Sequence, residues 1–143
     1  MSLPVYRGNR NLCLELTRNY RSHPYLVEFA SRMFYHNKLS CAADRNVVDS
    51  LCGWSKLPNP EFPFAFFGVE GQDMREGDSP SFFNPYEIIL VADLVESLQR
   101  EKKLKPNELA VISPFFKHNI KLRSLFRQRN LRLEYTSLLK VCE

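Results

Sequence analysis

The segment from residue 12 to residue 35 changes from a period of two to a helical period, and this change limits the folds open to the chain. Leucine alternates with other residues up to Thr17, which predicts a short strand with one buried face. Ser22 and Pro24 are then the predicted cap and first turn of a helix. The apolar face of that helix is predicted to hold Leu26, Phe29, Ala30, Met33 and Phe34. A strand that passes directly into a helix is typical of an α/β fold.

Tyr20 and Arg21 lie where this predicted strand gives way to the helix. Ligands of open α/β sheets bind at that edge, and the planar, always-charged guanidinium group of arginine suits a phosphate. The residues alone slightly favour a structural alternative, in which Arg21 pairs with carboxylates and Tyr20 packs beneath the helix.

The remainder of the chain continues the alternation of strands and helices. Residues 38–62 have no sustained period and are predicted to form an irregular insertion, with Trp54 packed on the core. Helices are predicted from an Asn84 cap to about Lys103, and again from about Phe115. Apolar or alternating runs predict further strands at residues 62–69, 109–112, 131–135 and 138–142. The pattern predicts a single α/β domain with a parallel sheet flanked by helices.

Composition narrows the class of protein only moderately. A formal charge of +4 and a pI near 8.9 are compatible with nucleic-acid binding but also with many other functions. The four cysteines form no Cys-x-x-Cys pair and have no ligand spacing with the three histidines, so no metal site is predicted. No apolar run reaches the length of a membrane span. We therefore expect a cytoplasmic protein with free thiols and no membrane partner.

The run Asn19-Tyr20-Arg21-Ser22-His23-Pro24 resembles a motif of the superfamily 1B RNA helicases, where it opens the second RecA-like domain. The resemblance covers about residues 11–142. It implies a RecA-like P-loop NTPase fold, present here as an incomplete second helicase domain. In that family the arginine of the motif reaches the γ-phosphate of ATP. The resemblance makes Arg21 the candidate catalytic arginine finger and makes Tyr20 and Arg21 the candidate nucleotide-binding residues.

Two further blocks carry the same resemblance. Residues 75–87, which begin Arg-Glu-Gly and contain Phe-Asn-Pro, look like the Armitage and Mov-ten branch of these helicases. Residues 109–123 are similar to a family motif that contacts the RNA backbone, although Phe115 and His118 stand where the family has tyrosine and glutamine. The candidate RNA-binding residues are Ser113, Pro114, Phe115, Lys117 and His118. A weaker signal is a basic helix face formed by Lys117, Lys121, Arg123, Arg127 and Arg129.

Other helicase motifs are not found in these 143 residues. The sequence has no Gly-x-x-x-x-Gly-Lys-Ser/Thr loop for phosphates and no Asp-Glu pair for Mg²⁺. The resemblance implies that ATP and Mg²⁺ are bound mainly by the first RecA-like domain of the intact protein. We expect the 143 residues alone to bind neither and to be inactive.

The resemblance therefore implies part of an ATP-dependent RNA helicase of the 5′–3′ superfamily 1B type, acting in small-RNA silencing or mRNA regulation. The implied partners are single-stranded RNA, the first RecA-like domain of the same protein, and Argonaute or Piwi proteins. The implied location is the cytoplasm, including ribonucleoprotein granules. Two alternatives stay open: a superfamily 1 DNA helicase, in which Asn-Tyr-Arg-Ser also occurs, and a non-catalytic scaffold with a helicase fold.

Overall fold

The computed structural model describes residues 14–133, which form an α/β structure of short strands and helices. In chain order the elements are β1 (Arg18–Asn19), α1 (Pro24–Phe34), β2 (Ser40–Cys41), α2 (Arg45–Val48), β3 (Met74–Arg75), β4 (Phe82–Phe83), α3 (Pro85–Glu101), a 3₁₀ turn (Pro106–Glu108) and α4 (Phe116–Gln128). The chain divides into two compact units with a boundary between Ala65 and Phe66. None of the described helices is long and apolar enough to cross a lipid bilayer.

The first unit contains the parallel sheet that the sequence predicts, in a reduced form. β1 pairs in parallel with β2, with Arg18 opposite Ser40, and α1 connects the two strands. The predicted strand starts too early, because Leu14 and Leu16 are exposed and unpaired with β2. Trp54 is buried, as predicted. The strand–helix–strand order agrees with an α/β class, although the ladder is two residues long.

The other predicted strands are not formed in the part of the chain that the structure describes. Residues 62–69 and 109–112 belong to no sheet, and Phe66 and Ile112 are 85% and 78% exposed. An apolar run becomes a strand only where a neighbouring backbone completes its hydrogen bonds, and the described residues place no paired strand beside these two runs. Two further predicted strands fall partly or wholly outside the described residues, at 131–135 and 138–142.

The start of α1 differs from the prediction by one residue. The N-cap is His23, whose Nδ1 atom accepts a hydrogen bond from the Tyr25 N–H at 3.3 Å, and Pro24 occupies the first turn. The predicted cap, Ser22, instead donates its N–H to Asn19 Oδ1. The prediction was wrong because the preceding turn already uses Ser22, so the helix begins after it.

The side of α1 that is buried also differs from the prediction. The buried residues are Val27 and Ser31. Ser31 Oγ accepts the Leu39 N–H at 3.0 Å, which holds this side of the helix against the chain leading to β2. The predicted apolar side is largely exposed, including Phe29, Met33 and Phe34. The helical period identified the helix but not the side that its neighbours cover.

The second unit depends on the packing of α3 against α4 and β4. β3 and β4 form an antiparallel pair that the sequence did not predict, with Met74 opposite Phe83. α3 begins as predicted, with Asn84 as its N-cap and Pro85 in its first turn, and ends at Glu101. The buried apolar cluster comprises Phe83, Ile88, Ala92, Val95, Leu122 and Phe126. Because every member comes from β4, α3 or α4, this cluster fixes the β3–β4 pair beside α4.

Gly71 lies against the cap of α3. Asn84 Oδ1 accepts the N–H groups of Tyr86 at 3.0 Å and Glu87 at 3.4 Å, which fixes the Asn84 side chain. A methyl group added at Gly71 would lie 2.8 Å from this oxygen and 2.8 Å from Tyr86 Cδ2. Both distances are shorter than a van der Waals contact, so a larger residue must displace the cap or the ring.

We expect Gly71→Ala to lower the free energy of unfolding by about 1–2 kcal/mol, because it overpacks the cap. Gly68→Ala is the matched control, since nothing lies within 4 Å of the methyl group that it adds, and it should be neutral or slightly stabilising. Urea unfolding of the wild type and the two variants measures both values. Equal stability of the two variants would contradict the packing described for Gly71.

Candidate functional site

A tight turn between β1 and α1 carries Tyr20 and Arg21. Asn19 Oδ1 accepts the N–H of Arg21 at 3.0 Å and the N–H of Ser22 at 2.8 Å, which closes an Asx turn. The Ser22 carbonyl accepts a hydrogen bond from the Cys41 thiol of β2 at 3.2 Å. Both ends of the turn are therefore held by the chain itself. The turn lies at the carboxyl end of β1, the edge of a parallel sheet at which ligands bind.

The two candidate nucleotide-binding side chains are open to solvent. Tyr20 is 67% exposed, and Arg21 is also exposed. Within residues 14–133, no carboxylate pairs with the Arg21 guanidinium group, and the Tyr20 ring is not packed beneath α1. The structural alternative raised by the sequence thus finds no support in this range. Among the described residues, no carboxylate would have to be displaced for an anion to approach the guanidinium group.

His23, directly after the turn, joins Asp49 and Cys52 in a cluster that sequence spacing did not predict. One ligand atom from each side chain lies within 4.8 Å of the others, and His23 Nε2 is 3.2 Å from Asp49 Oδ1. However, His23 Nδ1 accepts the Tyr25 N–H, which assigns the proton of a neutral ring to Nε2. Arg45 Nη1 also lies 3.6 Å from Asp49 Oδ1. A protonated Nε2 atom offers no lone pair to a metal, so this arrangement does not favour a metal site.

The second unit brings together two motif blocks that are separate in sequence. The loop between β3 and β4 reaches the start of α4, where Ser81 Oγ accepts the Lys117 N–H at 2.9 Å. Ser113 Oγ accepts the Phe115 N–H at 3.3 Å, and its carbonyl accepts a bond from Asn119 Nδ2 at 3.1 Å. These bonds fix the N-terminus of α4 and occupy two of the N–H groups that a helix start would otherwise offer to a ligand.

Glu76, in the same loop, pairs with two lysines of α4. Its Oε1 atom contacts Lys121 Nζ, and its Oε2 atom lies 3.4 Å from Lys117 Nζ. Lys121 Nζ also lies 5.1 Å from the centre of the Phe83 ring, a cation–π contact. The hydrogen bond from Lys121, with the further charge of Lys117, lowers the pKa of Glu76. The carboxylate is therefore charged at neutral pH.

The five predicted RNA-binding residues lie together around the start of α4 but differ in accessibility. Pro114 and Phe115 are exposed, and Lys117 is partly buried. Ser113 and His118 are buried. The first three can meet a ligand directly, whereas the last two are placed to support the surface from below. Contact of any of them with RNA stays a prediction.

Most of the basic face of α4 is engaged in ion pairs inside the second unit. Arg129, just after the helix, pairs with Asp93 and Glu96 of α3, while Lys117 and Lys121 pair with the β3–β4 loop. The basic face therefore helps to hold the unit together. It offers a ligand less free positive charge than its composition suggests.

The buried His118 ring makes folding stability depend on pH. Burial of the ring lowers its pKa below the ordinary value of 6.5, and the negative charges of Glu87 and Asp73 oppose that decrease. Glu87 Oε2 lies 4.0 Å from His118 Nδ1. A histidine with a lowered pKa binds its proton less tightly in the folded state than in the unfolded chain. Folding stability therefore decreases as the pH falls through 6.5, until the folded-state pKa is also passed.

We expect the free energy of unfolding to decrease between about pH 7.5 and about pH 5.5, with part of the decrease due to His118. His118→Gln removes the titrating group, so the free energy of unfolding of this variant should decrease less over the same pH interval. Urea unfolding at several pH values measures the two slopes. If the slopes were identical, the proton affinity of His118 would be the same in the folded and unfolded states, contrary to this expectation.

Comparisons with known proteins agree with the sequence pattern. Residues 5–141 match a family described as AAA domain. RNA helicase Mov10l1 of Homo sapiens is 40% identical to the present chain, and the alignment covers 92% of the present chain. Putative helicase mov-10-B.2 of Danio rerio is 40% identical over 76% of the chain, and putative helicase MOV-10 of Gallus gallus is 34% identical over 80%. The chain spans 12%, 11% and 13% of these three relatives, respectively.

Proposed function

The chain belongs to the AAA domain family and to its Mov10-like superfamily 1 helicases, and on this basis we propose that it is part of an ATP-dependent RNA helicase. The family implies a P-loop NTPase fold, within which we assign the chain to the second RecA-like domain. The relatives named as RNA helicase or putative helicase support the reaction. The motif at residues 19–24 supports the place of the chain within the motor.

The proposal rests on one observation, the exposure of the Arg21 guanidinium group on a turn whose backbone is held in place. Its backbone is fixed by Asn19, while its guanidinium group is exposed and has no carboxylate partner within residues 14–133. An accessible positive charge at this edge of the sheet can stabilise the charge that develops on a transferring phosphoryl group. Tyr20 would pack against the nucleotide or position the arginine. ATP and Mg²⁺ would be held mainly by the first RecA-like domain, and the present residues alone would not hydrolyse ATP.

The RNA-binding part of the proposal concerns the start of α4. Lys117 can contact a backbone phosphate, and the exposed ring of Phe115 can stack on a base of single-stranded RNA. Ser113 and His118 would hold this surface in shape, with Pro114 at its exposed edge. Phosphate contacts make binding sensitive to salt without selecting a sequence. Closure of the two RecA-like domains on ATP would move this surface along the RNA.

The cellular part of the proposal rests on the family resemblance. It comprises a role in small-RNA silencing or mRNA regulation, association with Argonaute or Piwi proteins, and a location in the cytoplasm or in ribonucleoprotein granules. No described residue is assigned to these partners.

RNA-stimulated ATP hydrolysis by the intact protein tests the role of Arg21. We expect Arg21→Ala to lower kcat about a thousandfold or more, with the Kd for ATP changed only a few-fold, because the charge acts in the transition state. Arg18→Ala is the matched control, since it removes an exposed arginine of β1 that lies outside the turn. It should retain turnover.

Each alternative predicts a different result in the same assay. Unchanged turnover in Arg21→Ala would make Arg21 a structural residue. Absence of turnover in the wild type would favour the non-catalytic scaffold. Stimulation by single-stranded DNA well above that by RNA would favour the DNA helicase.

A further inference from the structure

We propose that Glu76 competes with RNA phosphate for Lys117 and Lys121 and thereby holds this surface in a state of low RNA affinity. The proposal rests on the RNA-binding function proposed above and adds a regulatory element to it. It makes the loop between β3 and β4 an internal acidic competitor, formed by the same motif block that precedes α3.

The geometry of the ion pairs carries this inference. Lys117 and Lys121 lie one turn apart on the same side of α4, so their ammonium groups can reach one anion together. Each oxygen of the Glu76 carboxylate contacts one of the two ammonium groups. A phosphate that bridged the same two lysines would also present two oxygens. The carboxylate and the phosphate would therefore occupy the same position and exclude each other.

A second contact holds the competing loop at the helix start. Ser81, five residues after Glu76, accepts the Lys117 N–H, so the loop covers both a side chain and a backbone donor of the same lysine. Release of Glu76 alone would free two ammonium groups. Release of the whole loop would also free the Lys117 N–H, a phosphate-binding group at a helix N-terminus.

The strength of the contact suits a competitor that RNA can displace. The side chain of Glu76 is 48% exposed, and those of Lys117 and Lys121 are 27% and 36% exposed. Ion pairs with this exposure stabilise a protein only weakly. The loop would therefore reduce RNA affinity without closing the surface permanently. The lowered pKa of Glu76 keeps the carboxylate charged near neutral pH, so the competition would not depend on pH in that range.

Binding of a fluorescein-labelled single-stranded oligouridylate to the intact protein tests the proposal. Glu76→Gln keeps the size of the side chain but removes its charge, and should bind roughly three- to tenfold more tightly. A plot of log K against log salt should steepen by about 0.7, the increment for one newly neutralised phosphate of a single strand, because one phosphate bridges both lysines. Fluorescence anisotropy over a salt series gives both values.

Asp78→Asn is the matched control. Asp78 is exposed in the same loop and makes no ion pair with a residue in the range 14–133, so its substitution changes the net charge equally without freeing the lysines. The affinity of Asp78→Asn should stay within twofold of the wild type. Addition of Glu76→Gln to a Lys117→Ala, Lys121→Ala variant should give no gain, because the groups that it frees are gone.

The outcomes separate the two proposals. RNA binding by the wild type, with no more gain from Glu76→Gln than from Asp78→Asn, would overturn the competition and leave the RNA-binding function intact. Weaker binding by Glu76→Gln would also overturn it, because Glu76 would then position the lysines for RNA. Failure of the wild type and Glu76→Gln alike to bind RNA would overturn both proposals.

Discussion

The contact of α3 with α4, closed by Phe83 and Phe126, is the interaction on which the second unit depends. It buries the apolar sides of both helices and sets the position of the β3–β4 pair beside α4. The polar contacts that join the β3–β4 loop to the start of α4 require that position. The loop that carries Glu76 and Ser81 reaches its lysine partners only because β4 is packed into this core. Apolar burial thus determines where the charged groups meet.

The first unit uses a different principle, because its candidate site is held by polar contacts of the backbone. Asn19 closes the turn, β2 supplies a thiol hydrogen bond to its far end, and His23 starts the following helix. His23 Nε2 lies 3.2 Å from Asp49 Oδ1 at that helix start. A site on such a turn needs little apolar core close to it, and Tyr20 and Arg21 remain exposed while their backbone stays fixed.

The sequence predicted what local rules decide and missed what distant neighbours decide. The Asn84 cap, the extent of α3 and the start of α4 follow from residues close in the chain, as does the change from strand to helix around Arg21. The buried side of α1 depends on Ser31 meeting Leu39, and strands need partners that periodicity cannot supply. The Glu76 ion pairs join residues more than forty positions apart. No local signal marks such a pair.

In the Asx turn at Asn19, backbone groups determine the shape of the candidate nucleotide site, whereas the side chain at position 21 determines its chemistry. The N–H groups of Arg21 and Ser22 hold the turn, and the arginine side chain takes no part in it. Position 21 is therefore modular: the chain can exchange the group that it displays there without rebuilding the loop that displays it. Proteins that share this turn can keep the same shape while gaining or losing a phosphate-directed charge. Shape alone would not distinguish an active motor from an inactive relative.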